Sequence, residues 1–164
     1  MKLRPATPDD VQLLRHWDEQ PHVIESDPND DWHWETELGR ERDWREQLIA
    51  ELDGRSIGFL EIIDPHREEE HYWGDVPPNL RAIDIWIGGP QHRGKGFGGE
   101  MMRLALEKCF ADPRVTGIVI DPLASNERAH RFYRRMGFRA IGRRSFGRDD
   151  CLVHELTRHD WLLP

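Results

Sequence analysis

Residues 91–99 read Gln91-His92-Arg93-Gly94-Lys95-Gly96-Phe97-Gly98-Gly99, and this stretch decides the fold. It lies directly after a predicted strand and directly before a predicted helix. Its alternating glycines carry no Cβ, so the backbone N–H groups of the loop can turn toward one point. The positive end of the helix that starts near residue 98 faces the same point. The pattern predicts a loop that binds a pyrophosphate group.

Two other kinds of phosphate-binding loop do not fit this stretch. A Walker loop requires Gly-Lys-Ser/Thr, which does not follow the glycines here. A dinucleotide-binding loop of the Rossmann type comes early in its domain, whereas two or three predicted strands precede residue 91. A glycine-rich turn without a ligand is the remaining alternative, and the position between a strand and a helix favours the phosphate loop.

The rest of the chain predicts strands and helices on both sides of this loop. Strands are predicted at 3–5, 48–52, 56–63, 81–87, 117–120, 138–144 and 151–156, with a hairpin turn at Asp53-Gly54. Helices are predicted in the segment from Val11 to Trp17, across about 31–45, and at 98–111 and 125–136. Residues 64–79 form a long polar loop, which in a compact domain is usually functional or disordered.

This order of elements predicts the fold class. Strands followed by a βαβα pattern are typical of an α/β (α+β) fold with a mixed, mainly antiparallel twisted sheet flanked by helices. A length of 164 residues is that of one domain, which we expect to cover residues 1–164. The composition, 37% hydrophobic and 33% charged residues, is that of a globular protein.

The chain carries no obvious targeting signal. The N-terminal sequence MKLRPATPDD lacks the apolar run of a signal peptide, and no segment has the length and apolarity of a membrane span. The two cysteines, Cys109 and Cys151, do not make a disulfide framework. We therefore expect a cytoplasmic protein, present as a monomer or a homodimer.

The net charge of −8 is divided unevenly along the chain. Residues 1–84 contain 22 acidic and 9 basic residues, a net charge of −13, whereas residues 85–164 contain 9 acidic and 14 basic residues, a net charge of +5. The two halves therefore suit partners of opposite sign, although solvated helical faces would give a similar pattern. The strongly acidic half argues against a nucleic-acid partner.

Two motifs together resemble the GNAT N-acetyltransferase superfamily. Gln91, Gly94 and Gly96 match its acetyl-CoA signature, Gln/Arg-x-x-Gly-x-Gly/Ala. Residues 121–138, which read DPLASNERAHRFYRRMGF, are similar to a second segment of that superfamily. The resemblance covers nearly the whole chain and implies an acetyl-CoA-dependent N-acetyltransferase that has acetyl-CoA as its cosubstrate and no metal.

The resemblance also implies roles for particular residues. In that superfamily the asparagine of the second segment contacts the pantetheine arm and the tyrosine protonates the leaving thiolate, which gives these roles to Asn126 and Tyr133. The alternative is that Ser125 caps the helix and that Phe132 and Tyr133 are core residues; for Phe132 we adopt it. The residues assigned to acetyl-CoA binding are Trp86, Ile87, His92, Arg93, Gly94, Lys95, Gly96, Phe97, Gly98, Gly99, Asn126 and Tyr133.

Within the superfamily the chain is most similar to aminoglycoside 6′-N-acetyltransferases. The segments that carry this likeness are Glu70-His71-Tyr72-Trp73 and Arg81-Ala82-Ile83-Asp84. The chain departs from the family at two of these positions, because Ala82 replaces a glycine and Glu70 replaces an aspartate. The resemblance implies a small-molecule amine acceptor, an aminoglycoside, and a role in antibiotic resistance.

The chemistry of amine acetylation requires a carboxylate near the acceptor. An ammonium group must lose a proton before its nitrogen can attack a thioester, and a carboxylate can both bind the cation and accept that proton. Asp84 is the first candidate for this catalytic role, while Glu70 and Asp121 add negative charge and Trp73 offers an apolar surface to a polycationic sugar. The alternatives are that Asp84 pairs with Arg81 and that Glu70 belongs to a solvated acidic run.

Other chemistries are less well supported by the sequence. Cys109 shares a helix face with apolar residues, which indicates a core position rather than a covalent nucleophile. None of the nine histidines has the spacing of a metal site, so we expect no metal.

Two further functions stay open at this point. A siderophore-lysine or a protein or peptide N-terminus is an alternative acceptor for an enzyme of this layout. A CoA-binding sensor without catalytic activity is an alternative of another class, against which Tyr133 and Asp84 count.

Overall fold

The computed structural model describes residues 1–164 and contains seven strands and six helices. The strands are β1 (Lys2–Pro5), β2 (Arg45–Leu52), β3 (Arg55–Ile63), β4 (Leu80–Ile87), β5 (Gly117–Ile120), β6 (Arg139–Phe146) and β7 (Asp149–Thr157). The helices are α1 (Val11–Asp18), α2 (Pro21–Ser26), α3 (Trp34–Glu37), α4 (Phe97–Phe110), α5 (Glu127–Arg135) and α6 (Arg158–Leu162). None of the six helices combines the length and the apolar character that crossing a bilayer requires.

All seven strands belong to one sheet in the order β1-β2-β3-β4-β5-β7-β6. Every neighbouring pair is antiparallel except β4 and β5, which run parallel and are joined through α4. A parallel pair needs such a crossover connection, and the glycine-rich loop is the first part of it. The predicted mixed, mainly antiparallel sheet flanked by helices is confirmed.

Alternation along the strands sends side chains to two different faces of the sheet. One face packs against α4 in the largest core cluster, where Leu60 and Ile83 meet Met102 and Leu106. On the other face, Phe59 of β3 packs with residues of α1 and α3 in a smaller cluster. Polar side chains that alternate with the first set therefore point to this second face, which is only partly covered by helices.

The pairing of β4 with β5 stops halfway along β4. Only Leu80, Arg81 and Ala82 of β4 are paired with β5, opposite residues 117–119. On its other side β4 stays paired with β3 as far as Ile87. The second half of β4 therefore borders an open gap in the sheet, and the glycine-rich loop begins just beyond its end.

The helix predicted across residues 31–45 is wrong. Only the four residues of α3 are helical, and β2 begins at Arg45, earlier than predicted. Gly39 follows the helix, and the indole N–H of Trp34 donates to Asp18 Oδ2 over 2.6 Å, which fixes the segment by a tertiary contact. Of the three tryptophans in this segment, Trp34 is buried and Trp32 and Trp44 are half-buried by neighbouring elements.

The other predicted elements agree with the structure to within a few residues. Strand β5 has the predicted bounds, and no helix or strand interrupts residues 64–79. Helix α5 starts at Glu127 because Asn126 is the N-cap, with Oδ1 accepting from the Ala129 N–H over 3.1 Å. The alternative in which Ser125 caps the helix is therefore wrong by one residue. Helices α2 and α6 were not predicted, since each is too short to show a clear periodicity.

Candidate active site

The glycine-rich loop presents a row of unpaired backbone donors. Within the protein, none of the N–H groups of residues 94–99 donates a hydrogen bond. Gly94 and Gly96 have φ angles of +72° and +84°, which L-residues with side chains rarely adopt, and open space surrounds the position of a Cβ at both. Because α4 begins at Phe97, these donors lie at its positive end. The arrangement fits the pyrophosphate of a coenzyme A molecule.

Basic side chains lie around the same loop. The pKa of Arg93 is lowered, first by partial burial and then by the positive charge of Arg128 on α5, which places these two guanidinium groups near each other. Lys95 is exposed within the loop. Neither arginine forms a salt bridge within the protein, although the charge of Glu25 acts on Arg93, so both guanidinium groups are free to attract the phosphate groups of the cosubstrate.

Some of the residues expected to hold the rest of the cosubstrate line the cavity at the gap between β4 and β5, and others lie outside it. Trp86, Asn126 and Tyr133 line one cavity on the second face of the sheet, where the strands β4 and β5 separate. Asn126 uses its oxygen as a helix cap, so its amide N–H groups have no partner within the protein. The carbonyl oxygen of Ile87 lies 2.7 Å from His22 Nε2. A cosubstrate role for Ile87 stays a prediction.

The cavity has a volume of about 460 Å³, within the range of small-molecule sites. Eleven carboxylates line it: Asp27, Asp30, Asp31, Glu37, Glu61, Glu68, Glu69, Glu70, Asp84, Asp121 and Asp149. The basic side chains in its wall, apart from one histidine, are Arg40, Arg42 and Arg45. Each of these arginines is already paired with a glutamate. The cavity is therefore strongly negative and offers no free cation.

Asp84 lies in the wall of this cavity and forms no salt bridge or hydrogen bond within the protein. Arg81 instead pairs with Asp64 and Asp112, at 3.4 Å and 3.9 Å, because residues three apart on a strand point to opposite faces. The alternative of an Asp84–Arg81 pair is therefore excluded. Burial raises the pKa of Asp84 well above its usual range, and the charge of Asp121 adds to this.

Tyr133 faces the same pocket from α5 and is 7% exposed. Burial raises the pKa of its phenol, and the charges of Asp84 and Asp121 raise it further, so the hydroxyl keeps its proton. A protonated phenol in a negative cavity can donate to an anion that forms nearby. The structure thus brings together the two residues predicted to be catalytic.

Asp121 is held in place by a residue that the sequence analysis did not single out. The Tyr72 hydroxyl donates to Asp121 Oδ2 over 2.6 Å, and its ring stacks on Phe146 with centroids 4.6 Å apart. Burial raises the pKa of Asp121 to about 6, partly offset by the Tyr72 hydrogen bond. Tyr72 lies in the long loop 64–79 and in the segment 70–73 that carries the family likeness, but neither signal linked it to Asp121.

The two other predicted acceptor residues differ in their surroundings. Glu70 is exposed at the cavity wall, as a rim charge would be. Trp73 is only 4% exposed and packs edge-on against Phe146, while Arg144 lies over its ring. Trp73 is thus mainly a core residue that borders the cavity, and stacking of a sugar on its face stays a prediction.

Glu61 is a buried carboxylate of the cavity wall that the sequence analysis missed. It is the cross-strand neighbour of Asp84 and accepts a hydrogen bond from Gln47 Nε2 over 2.8 Å. Burial raises its pKa to about 7. Its position within the apolar run of β3 gave one signal, since a single charged residue in such a run requires a partner or a function.

Two aromatic rings of the cavity wall, Trp32 and Trp86, pack on two further rings behind them, Trp34 and Phe59. Trp32 lies edge-on to Trp86 with centroids 5.1 Å apart and stacks on Trp34, and Phe59 packs beneath Trp86 at 4.6 Å. The Trp86 Nε1 atom is buried and has no hydrogen-bond partner in the protein. An orphan donor of this kind favours a ligand acceptor group at this wall.

Cys109 takes no part in this site. It is a buried residue of the main core, and burial raises the pKa of its thiol to about 12. The predicted core position is confirmed, and a thiolate nucleophile at Cys109 is excluded. The structure contains no group of three or more His, Cys, Asp or Glu side chains arranged to hold a metal ion.

Comparison with known proteins matches this arrangement to one family. Residues 6–146 match the model of the acetyltransferase (GNAT) domain. Aminoglycoside N(6')-acetyltransferase type 1 of Klebsiella pneumoniae is 30% identical over 154 residues, which cover 85% of this chain and 74% of that protein. The chain therefore belongs to the GNAT acetyltransferase family. It is an acetyl-CoA-dependent N-acetyltransferase, as the motifs predicted.

Two further similarities cover the sequence and the fold. The kanamycin resistance protein of Rhizobium radiobacter is 38% identical over 76 residues, which cover 46% of this chain and 70% of that protein. A crystal structure of aminoglycoside acetyltransferase AAC(6')-Ib in complex with coenzyme A and kanamycin aligns with a TM-score of 0.88 and 27% identity, covering 98% of this chain and 96% of that one. The predicted fold class is therefore confirmed by a solved structure.

The glycine-rich loop gives the first testable expectation. Replacing Gly96 by valine should weaken acetyl-CoA binding at least tenfold, about 1.4 kcal/mol, because a β-branched residue resists a φ of +84° and the amides turn away. Gly54→Val is the matched control, since Gly54 has a φ of +76° in open space at the β2–β3 turn, away from the cavity. Calorimetry measures the affinity of both folded variants for acetyl-CoA. If Gly96→Val binds acetyl-CoA as tightly as Gly54→Val and the wild type, the loop is not part of the binding site.

The buried carboxylates give a second expectation, on stability. With pKa values near 7, Glu61 and Asp27 keep a proton in the folded state that they lose in the unfolded state. Unfolding free energy should therefore fall as pH rises from about 4.5 to 7, by on the order of 1 kcal/mol per pH unit for each such group, and should level off above pH 7, where both states have lost the proton. Urea unfolding of Glu61→Gln should show a flatter pH dependence, whereas the exposed Glu46→Gln should keep the wild-type slope. Equal slopes in the wild type and Glu61→Gln would contradict this interpretation.

Proposed function

We propose that the chain transfers the acetyl group of acetyl-CoA to the 6′-amine of an aminoglycoside, and so confers resistance to it. The observation that carries the proposal is the cavity beside Asp84, which eleven carboxylates line and which contains no unpaired cation. Aminoglycosides are polycationic, so each ammonium group gains attraction in such a site. The relatives from Klebsiella pneumoniae and Rhizobium radiobacter are named for aminoglycoside acetylation and kanamycin resistance, which supports an aminoglycoside acceptor.

The acidic wall also weighs against one alternative acceptor. A siderophore-lysine intermediate carries carboxylates and needs cations to bind them. The three arginines of the wall are each occupied by glutamate, as described above, and the remaining lining charges are negative. A protein or peptide N-terminus stays possible as an acceptor and is an outcome of the test below.

In the proposed reaction Asp84 acts on the acceptor nitrogen. Its carboxylate binds the ammonium group and accepts its proton, directly or through a water molecule, which leaves the nitrogen lone pair free to attack the acetyl carbonyl carbon. A raised pKa makes Asp84 a stronger base than an ordinary aspartate. Glu70, Asp121 and Trp73 hold the rest of the sugar, with Tyr72 fixing the position of Asp121.

Tyr133 acts on the sulfur as the bond between carbon and sulfur breaks. Its hydroxyl donates a proton to the leaving thiolate, so that neutral thiol leaves, and the phenolate regains a proton as the nitrogen, now bonded to the acetyl carbon, loses its second one. Because the amine attacks the bound thioester directly, no acyl-enzyme forms. The cosubstrate is held by the amides of residues 94–99, with Arg93 at its phosphates and Asn126 at its pantetheine arm. Acetyl-CoA supplies the activated acetyl group, and all other steps use side chains of this chain.

The cellular setting follows from the cosubstrate and the cysteines. Both cysteines are buried and unpaired, and acetyl-CoA is a metabolite of the cell interior. We therefore propose that the enzyme works in the cytoplasm as a monomer or a homodimer, without a nucleic-acid partner.

The acceptor assignment is tested with matched pairs of substrates. Kanamycin-type compounds with a 6′-amine should release CoA thiol, whereas analogues with a 6′-hydroxyl should not. Asp84→Asn removes the proton acceptor, so kcat/KM for the 6′-amine should fall by about 10²- to 10⁴-fold. Asp53→Asn, at the exposed β2–β3 turn, should leave kcat/KM unchanged. Equal turnover of both substrate types, or acetylation of lysine derivatives or peptides alone, would reject the aminoglycoside.

Tyr133→Phe separates proton donation from binding. The variant keeps the ring and its packing but loses the hydroxyl, so kcat should fall by about 10²- to 10⁴-fold while the KM for acetyl-CoA changes little. Steady-state kinetics with the best acceptor measure both quantities. Turnover within a factor of two of the wild type would make Tyr133 a packing residue.

A further inference from the structure

Two buried histidines lie directly behind the proposed site and have no role in the reaction described above. His130 lies on α5 and His154 lies on β7, and their exposed fractions are 2% and 0%. His130 Nδ1 is 3.0 Å from His154 Nε2, and His130 Nε2 is 3.0 Å from the carbonyl oxygen of Ala124. Buried polar groups of this kind are retained where they are hydrogen-bonded to each other or to backbone.

The contacts fix where the protons are. A carbonyl oxygen only accepts, so His130 Nε2 carries the proton that bonds Ala124. In a neutral ring the other nitrogen, Nδ1, is then an acceptor, and His154 Nε2 must donate to it. This leaves His154 Nδ1 without a proton, and that atom is buried with no partner. The chain of donors therefore runs in one direction, from His154 to His130 to Ala124.

The neutral state is favoured by the surroundings. Burial lowers the pKa of His154 to about 4, with further contributions from His130 and from the positive charge of Arg134. A proton on His130 Nδ1 would face the N–H of His154 and break the contact. His154 therefore stays uncharged at neutral pH, and the 3.0 Å contact requires that Nδ1 of His130 accepts its hydrogen bond.

This chain of hydrogen bonds ties three elements together at the edge of the cavity. His154 is paired with Ile120 of β5 and Ala140 of β6, so it lies within the sheet. Ala124 belongs to the loop that leads from β5 into α5, and Asn126 is two residues further on. Tyr133 follows His130 by one helical turn, and its ring centroid is 5.8 Å from that of His154.

We propose that His154 and His130 form a positioning pair that holds Asn126 and Tyr133 at the acetyl-transfer site. The donor chain fixes the Ala124 carbonyl, and with it the start of α5, at a set distance from β7. Losing the donor at residue 154 leaves the His130 acceptor unpaired in the core and frees the loop to shift. A shift of about 1 Å at a catalytic group can cost on the order of 10² in rate. The inference rests on the proposed roles of Asn126 and Tyr133.

Two substitutions at one position separate positioning from packing. His154→Gln places an amide N–H near the position of Nε2 and should keep kcat and acetyl-CoA affinity within about threefold of the wild type. His154→Leu fills the space without a donor and should lower kcat at least tenfold and weaken acetyl-CoA binding. If both variants are impaired alike, or neither is, the pair is only part of the core.

A measurement on the unmodified protein guards against variants that fail to fold. Nitrogen-15 NMR of histidine-labelled enzyme should show both rings as neutral Nε2–H tautomers at pH 7. An Nδ1–H tautomer at either ring would overturn the donor chain and the proposal with it.

Failure of the positioning role can be distinguished from failure of the site itself. Asn126→Asp keeps the cap oxygen and removes the amide N–H groups, so calorimetry with acetyl-CoA alone tests the site without any acceptor. Weaker binding in Asn126→Asp beside unchanged binding and turnover in His154→Leu would reject only the positioning pair. Unchanged binding in Asn126→Asp would instead reject the assigned contact of Asn126, whichever amine is the acceptor.

Discussion

The separation of β4 from β5 is the constraint on which the rest of the molecule depends. The two parallel strands are paired from Leu80 as far as Ala82, so the second half of β4 has an open side. The connection that a parallel pair requires begins at that point, so the glycine-rich loop and the first turn of α4 border the gap. One geometric feature therefore leaves room for the cosubstrate and lets Asp84 and Tyr133 line the same cavity.

The cavity beside this gap accumulates like charges at a cost to stability. Glu61 and Asp84 are direct cross-strand neighbours, an arrangement that is unfavourable when both are ionised. Their raised pKa values show how the folded protein responds, by holding protons where burial and repulsion oppose charge. A bound cation reduces the repulsion between these carboxylates. Because a polycation binds the folded state and not the unfolded state, its binding stabilises the fold.

The sequence predicted the parts of the site that lie within one segment and not those that depend on several. The loop at residues 91–99 and the segment around Tyr133 were recognisable because local spacing determines their chemistry. Tyr72 bonds a residue 49 positions away, and Glu61 meets Asp84 only through strand register, so no local pattern identifies either. The wrong helix at residues 31–45 has the same origin, since tertiary contacts of the tryptophans outweigh helix propensity there.

The uneven charge along the chain is explained by the position of β4 between the acidic cavity and the basic glycine-rich loop. The change from the acidic to the basic half falls beside Asp84, within the strand that borders the gap. Nine of the eleven cavity carboxylates precede or include that residue, whereas Arg93 and Arg128 follow it near the loop. A reaction between a polycation and an anionic cosubstrate needs opposite fields on either side of the bond that forms. Because the chain changes sign at the strand that carries the proposed base, each substrate of the proposed reaction would be attracted to its own side and the two would meet at Asp84.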